Sequence, residues 1–537
     1  MLLNHKEISD KTFSQTEESI SKKIIRNTIY NISGRFFNAI IWVFLTPYVI
    51  QRIGADRFGI LAIVGGVTGY FGLLDLGIGV SFVKFIAEFY AKRDYEKINE
   101  VANSGFFFYL LFTGITIAFL PFVIHPLIKT LAIPNYLYDE AVFAFWGGII
   151  IFSISSMASI FFAIQNGLQR MDIVNKLGIL FSVPMVIGTI FFLEHGYGLR
   201  GLVINGVIIF VISSIANIIV AFRILPELKI SPRLFREEMF KRLFGFGFKL
   251  QIARVSSMVC LNIDKFLIAY FLPIATVTTF QLGSSVVEQV KAVSLLFMSA
   301  LIPACSEVNA KNGRAELIDV YTKSTKYLAL VVIPLFVFAI TCARQVMFIW
   351  MGAGHERAAW IIQILGIGWG CAVVVGGIRS VMVQTLAKTE IEMKSGLIAI
   401  IFNIPLSVIL VVKFGLQGVA FGTSISLIIS AIYGNMKLHK ELNLSFWPFI
   451  KATILKIFAV SAFVGIVVWY IISASSNFWE LNRVTAVFVF IIEAALFFAI
   501  YLILLTYVKP LDNADVNILS RGKMYFTRVL LEKLSQK

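Results

Sequence analysis

Residues 198–231 read GLRGLVINGVIIFVISSIANIIVAFRILPELKIS, and residues 415–445 read GLQGVAFGTSISLIISAIYGNMKLHKELNLS. Each stretch opens on Gly-Leu-x-Gly, runs through a long apolar segment and closes on Glu-Leu, two further residues and Ser. The landmarks are Gly198, Gly201, Glu227 and Ser231 in one copy, and Gly415, Gly418, Glu441 and Ser445 in the other. From 201 to 222 the first stretch holds no charged residue. As a helix that run is about 33 Å long, enough to cross a hydrocarbon core about 30 Å thick. Pro184 precedes the first copy and Pro405 the second, so the matched pieces describe spans five and six and spans eleven and twelve. Six spans separate the copies, an even number, which gives them the same orientation and predicts a parallel repeat about an axis along the membrane normal. A repeat of this kind implies two lobes with a cavity near the midplane between them.

The composition agrees. Hydrophobic residues make up 58% of the 537 and charged residues only 15%, against about 25% in soluble proteins. Apolar runs recur along nearly the whole chain, predicting about fourteen spans. The expected fold is all-α, a polytopic membrane bundle of about fourteen transmembrane helices. It comprises a cytoplasmic segment (1–27), an N-lobe of six spans (28–222), a cytoplasmic amphipathic linker (223–246) and a C-lobe of six spans (247–437). Two further spans (438–507) and a cytoplasmic tail (508–537) follow. In the linker, Leu234, Phe235, Met239, Phe240 and Leu243 alternate with Arg236, Glu237, Lys241 and Arg242 at helical spacing, the pattern of a helix lying on the inner membrane surface.

The net charge is +16, but its placement argues against a nucleic-acid partner. With both termini cytoplasmic, about 33 of the 47 Lys and Arg fall on the cytoplasmic side and about 8 outside. That asymmetry predicts a multi-pass protein of a bacterial inner membrane whose positive face meets anionic headgroups. Residues 1–26 lack the apolar core of a signal peptide, so the first span is expected to persist. Cys260, Cys305, Cys342 and Cys371 have no ligand-type spacing and read as small buried hydrophobes.

Enzyme signatures are missing from the sequence. It contains no Gly-x-x-x-x-Gly-Lys-Ser/Thr phosphate loop and no His-Glu-x-x-His, and Gly77-Ile78-Gly79 lacks a third glycine. No cofactor, metal or catalytic residue is expected. The informative residues are ionisable groups inside spans, each costing about 2.5–3.5 kcal/mol at the bilayer centre on insertion scales. In span one, Asn31, Arg35, Asn38 and Trp42 share one helical face. In span seven, Gln251, Arg254, Met258, Asn262 and Lys265 form a comparable stripe with Asp264 beside it, and span eight carries Gln281, Ser284, Glu288 and Lys291. Arg379 lies in span ten. Under the repeat, spans one and seven correspond, so both lobes present a cationic stripe, and guanidinium forks suit pyrophosphate oxygens. This makes Arg35, Asn38, Trp42, Arg254, Lys265 and Arg379 the candidate substrate-binding residues. Asp75, Asp264, Glu288 and Lys291 are candidates for coupling or gating. Plainer readings stand beside these: Lys84 and Lys291 near inner span ends can snorkel. Asp264 with Lys265, and Glu288 with Lys291, can be structural pairs, and Glu493 can be a buried carboxyl without function.

Thr46-Pro47-Tyr48, then Ile53-Gly54-Ala55-Asp56-Arg57-Phe58-Gly59, Gly69-Tyr70-Phe71-Gly72-Leu73-Leu74-Asp75-Leu76-Gly77-Ile78-Gly79 and Asn262-Ile263-Asp264-Lys265-Phe266-Leu267-Ile268 together resemble the Wzx-type polysaccharide flippases. These belong to the multidrug/oligosaccharidyl-lipid/polysaccharide exporter superfamily. The resemblance implies two six-helix lobes, often with two extra C-terminal helices, alternating access between leaflets, and an undecaprenyl-pyrophosphate-linked O-antigen or exopolysaccharide unit as substrate. Bilayer lipid and polysaccharide polymerase machinery are the expected partners. It also implies a cationic cavity, which by span matches Arg35, Arg254, Lys265 and Arg379. Two alternatives lie within the superfamily: a lipid II flippase similar to MurJ, and a cation-coupled drug antiporter. The antiporter is disfavoured because span one carries Arg35 and no acid. A membrane polymerase or ligase would expose a large outer loop, and the longest here runs only from about Lys129 to Glu140.

The charge asymmetry yields a topology test. A fluorescent protein fused to the C-terminus should fluoresce, and alkaline phosphatase inserted between Pro134 and Tyr138 should be active. The reverse pair of results would overturn the orientation.

Overall fold

The computed structural model describes residues 34, 37–69, 78–131, 133–311, 313–475, 479–480 and 482–508. These residues are helical apart from short connections. In chain order the helices are α1 (37–69), α2 (Ile78–Ala91), α3 (Tyr95–Thr130), α4 (Tyr138–Gly167), α5 (Met171–Glu194), α6 (Gly198–Ile224) and α7 (Glu237–Phe271). They continue as α8 (Ala275–Lys311), α9 (Arg314–Thr341), the short α10 (Ala343–Met351), α11 (Glu356–Thr385) and α12 (Thr389–Leu442). The five-residue α13 (Phe446–Ile450) leads through a π-helical turn at Lys451–Leu455 into α14 (Lys456–Ala474), and α15 (Arg483–Val508) ends the described chain. Among the described residues nine helical segments are long and apolar enough to cross a membrane. Helices α7 and α8, at 35 and 37 residues, are long enough but stand outside that set, and both carry several polar and charged residues. The structure divides into two compact units at Thr278.

Two long helices conceal hairpins. In α12, Gly415 takes φ 57°, ψ −133°, and the chain folds back there. The pairings that follow are antiparallel: Ser407 Oγ donates to Val419 O, Asn403 Nδ2 donates to Thr423 Oγ1 at 2.9 Å, and Gly418 and Gly422 face Leu410 and Ser407 so closely that a Cβ would collide. Span five meets span six in the same way. Gly198 has φ 53°, Gly201 abuts Phe192, and Asn205 Nδ2 donates to Thr189 Oγ1 at 3.1 Å. The first glycine of each Gly-Leu-x-Gly therefore supplies a left-handed turn that L-residues rarely adopt, and the second a close helix approach. Gly54, at φ 82°, breaks α1 between spans one and two. Pro184 and Pro405 lie inside α5 and α12, where neighbouring helices in a membrane protein can absorb the lost hydrogen bond.

The first unit is locked at one end by a polar zip. Between α6 and α7, backbone groups of residues 227–231 bond to side chains of α3. Asn99 Nδ2 donates to Glu227 O at 2.9 Å and its Oδ1 accepts from Lys229 N at 2.7 Å. One turn on, Asn103 Nδ2 donates to Lys229 O and its Oδ1 accepts from Ser231 N, both at 2.7 Å. Helix α3 starts beside this zip, where the Asp94 side chain caps it by accepting from Lys97 N. The apolar residues expected on a surface helix do something else here. The helix from Glu237 runs without interruption into span seven, with Met239 and Leu243 buried against Phe82, Phe85, Phe89 and Ile98. Arg242 lies over the rings of Phe85 and Phe89. An apolar stripe is satisfied equally by a membrane surface or by a protein core, and aromatic residues of α2 and α3 supply the core.

The zip predicts that Asn103→Ala, which strands the backbone groups of Lys229 and Ser231, costs about 1–3 kcal/mol. Thermal unfolding of the purified protein should show a lowered midpoint, and an unchanged midpoint would contradict this role.

Candidate functional site

Arg35 and Asp75 lie outside the described residues, as does Asn31. Of span one, Asn38 is exposed and Trp42 half-buried. Arg254 falls in a helical stretch of α7 whose side chains are not described. Further along α7, Asn262 and Phe266 pack on the second half of α1. A Cβ at Gly69 would sit 3.4 Å from Asn262 Nδ2, and one at Gly66 would sit 3.5 Å from the Phe266 ring. The two glycines, one turn apart, therefore bring span two against the polar stripe of span seven. On that stripe Lys265 is half-buried, and beside it Asp264 is 2% exposed.

The remaining candidates lie in the second unit. In α8, Gln281 Nε2 donates to Ser285 Oγ at 2.9 Å, and Glu288 is exposed. Lys291 places its ammonium 3.8 Å from the ring centroid of Trp369 on α11. This contact was not legible in the sequence, where Lys291 paired only with Glu288 on its own helix. A cation against an aromatic face is stabilised by about 0.5–2 kcal/mol, more as water is excluded. Arg379, 7% exposed, is held by its neighbours: Nη1 donates to Ser395 Oγ and Nη2 to Glu392 Oε1, each at 3.2 Å. Gly434 gives the guanidinium its room, since any Cβ there would collide with it. A guanidinium so engaged on Ser395 and Glu392 has fewer donors left for a ligand than an open one.

The motif around Gly54 also gains a physical role. Arg57 forks onto Glu140, Nε to Oε2 at 2.6 Å and Nη2 to Oε1 at 2.8 Å, and Tyr136 donates to Asp56 at 2.9 Å. Thr278 Oγ1 donates to Ala55 O at 2.6 Å, and a Cβ at Gly59 would come within 2.5 Å of Ile274 O. Next to the motif, Arg52 and Tyr48 both donate to Glu194. Ala55-Asp56-Arg57 and Gly59 thus tie the break in α1 to α4 and to the start of α8. Partners 83 and 223 residues apart leave no local pattern to read. Among the described residues no three His, Cys, Asp or Glu side chains come together as metal ligands.

The family model described as "Polysaccharide biosynthesis protein" matches residues 24–309, just over half of the chain. The chain belongs to that family. Beyond the family match, a Shigella flexneri protein named as an O-antigen transporter is 23% identical over 410 residues, covering 76% of this chain and 96% of its own length. Among solved structures, an inward-facing multidrug resistance MATE transporter of the MOP superfamily is similar at TM-score 0.66 and 17% identity, covering 78% of this chain and 94% of its own. The lipid II flippase MurJ in an inward closed conformation is similar at TM-score 0.64 and 17% identity, covering 88% of this chain and 99% of its own. At that identity the two neighbours establish the fold alone, an all-α membrane bundle of the kind the apolar runs predicted.

If Arg379 is mainly a structural cation, Glu392→Gln should destabilise the purified protein. Removing one partner of a fully buried pair costs about 3–5 kcal/mol, and Glu392 is 34% exposed, so about 1–2 kcal/mol is expected. An unchanged unfolding midpoint would free Arg379 from this assignment.

Proposed function

We propose that this polysaccharide biosynthesis protein is a transporter that flips an undecaprenyl-pyrophosphate-linked oligosaccharide, an O-antigen or exopolysaccharide unit, across the bacterial inner membrane by alternating access. The observation that carries the reading is the likeness to an O-antigen transporter over nearly that protein's whole length, within a family named for polysaccharide biosynthesis. The chemistry supports it. Span one carries Arg35 and span seven Arg254 and Lys265, and cationic side chains inside spans suit a doubly charged pyrophosphate that must leave water. Asn38 and Trp42 would meet the sugars, with Arg379 joining the site when its Glu392 contact opens. Asp75, Asp264, Glu288 and Lys291 would serve coupling or gating. The sugars stay in an aqueous path while the polyprenyl tail remains in lipid. In this reading the lobes are 28–222 and 247–437, the termini are cytoplasmic, no bond of the substrate is broken, and a polysaccharide polymerase takes the cargo on the far side.

The second reading is a lipid II-type flippase, favoured by the coverage of MurJ. It differs in the saccharide and leaves the role of the arginines unchanged. A drug antiporter draws on the MATE fold but not on the charge of span one.

Reconstituted in liposomes with a fluorescent polyprenyl-pyrophosphate oligosaccharide, the protein should speed leaflet exchange. Loss of a charge-assisted contact to phosphate lowers binding by about tenfold or more, so Arg35→Ala and Arg254→Ala should each slow exchange by that factor. Normal exchange in both variants would remove the cationic site, and exchange of lipid II alone would favour the second reading.

A further inference from the structure

The C-terminal spans contain a carboxyl that the flipping reading does not use. Glu493 sits on α15, which packs on α14, α9 and α10, and it is only 2% exposed. Ser475 Oγ donates to its Oε1 at 3.3 Å, while Oε2 has no hydrogen-bond partner. Beside this carboxyl lies Gln345, in the first turn of α10 and wholly buried; its amide interacts with the carboxyl, yet neither amide atom reaches a hydrogen bond of full geometry. Three buried polar atoms without a full hydrogen bond thus belong to helices whose apolar residues, Val460, Val464, Val468, Ile472 and Phe497 among them, form one cluster. Polar atoms left so in an apolar setting each cost about 1–3 kcal/mol, and an ionisable residue within a span points to a site.

We propose that Glu493, Gln345 and Ser475 form a binding site for one small cation, a proton or a sodium ion, where α10 meets the C-terminal pair of spans. A carboxylate, an amide oxygen and a hydroxyl are the hard oxygen donors such a cation takes. A proton from water would add to the carboxylate oxygen itself and leave by the same route. Among the described residues no cation pairs with Glu493, so the charge the site takes up is not already supplied. Cys342, buried where α9 meets α10, is the other ionisable group beside it. Elsewhere on the packed elements, Lys456 and Tyr470 of α14 and Arg344 of α10 are exposed, and the charged residues of α9, Arg314 to Lys326, lie at its other end. On α15 itself, Arg483 donates to Met351 O. A cleft of about 280 Å3 lies beside α10. It is lined by Arg344, Met347 and Phe348 of α10, by His355 and Glu356, and by Trp479, four residues on from Ser475.

The site is independent of the flipping reading, because its occupancy can be measured without transport. With purified full-length protein, infrared spectra over a pH series would follow the carboxyl, and thermal unfolding in sodium, potassium and choline chloride would follow sodium. A titrating carboxylic-acid band that Glu493→Gln removes identifies a proton. A sodium-specific rise in unfolding midpoint that Glu493→Gln abolishes identifies sodium. Gln345→Ala and Ser475→Ala keep the carboxyl and should shift the same signal, which preserves the test if Glu493→Gln fails to fold. The proposal is overturned if neither signal is seen in the unaltered protein, if Glu493→Gln retains it, or if the two other variants leave it unmoved.

Discussion

A charge within a hydrocarbon slab must be matched, hydrated or given up, and the described spans show how differently this chain meets that requirement. Arg379 is matched by Glu392 and Ser395 on the helix that follows its own. Lys291 is matched by the face of Trp369. Glu493 is matched on one oxygen and left open on the other. Each arrangement sets what the group can do next. A guanidinium held on two partners positions helices, an ammonium on a ring can exchange that ring for an anion at modest cost, and a half-satisfied carboxyl can accept a cation. By the same reasoning the proposal rests on Arg35 and Arg254, since the sequence offers neither of them an acid at helical spacing on its own predicted stripe.

The second recurring device is the glycine. Gly198 and Gly415 turn the chain, while Gly66, Gly69, Gly201, Gly418 and Gly422 let helices touch. Helices in lipid gain little from burying apolar surface against one another, so close backbone approach and interhelical hydrogen bonds carry more of the packing. Asn205 on Thr189 and Asn403 on Thr423 are bonds of that kind, one in each copy of the matched hairpin.

Much of this was legible in the sequence because it is written in local patterns. Apolar runs marked the spans, and the matched Gly-Leu-x-Gly segments marked two hairpins. What could not be read depends on partners far apart in the chain. Asn99 and Asn103 bond to backbone groups of 227–231, and a backbone group carries no side-chain signature. The fork between Arg57 and Glu140 joins residues whose meeting requires the fold. The apolar face of the 234–243 segment was visible, but its destination was not, because membrane surface and protein core demand the same residue pattern.

The central claim is that the chain moves a lipid-linked saccharide between leaflets. The most direct measurement removes the gene from its host and follows lipid-linked saccharides by mass spectrometry, with a membrane-impermeant label reporting the leaflet. The account predicts a polyprenyl-pyrophosphate oligosaccharide accumulating on the cytoplasmic face, inaccessible to label from outside and released when the gene is restored. Unchanged amounts and sidedness of these lipids, with altered sensitivity to drugs or cations, would contradict it.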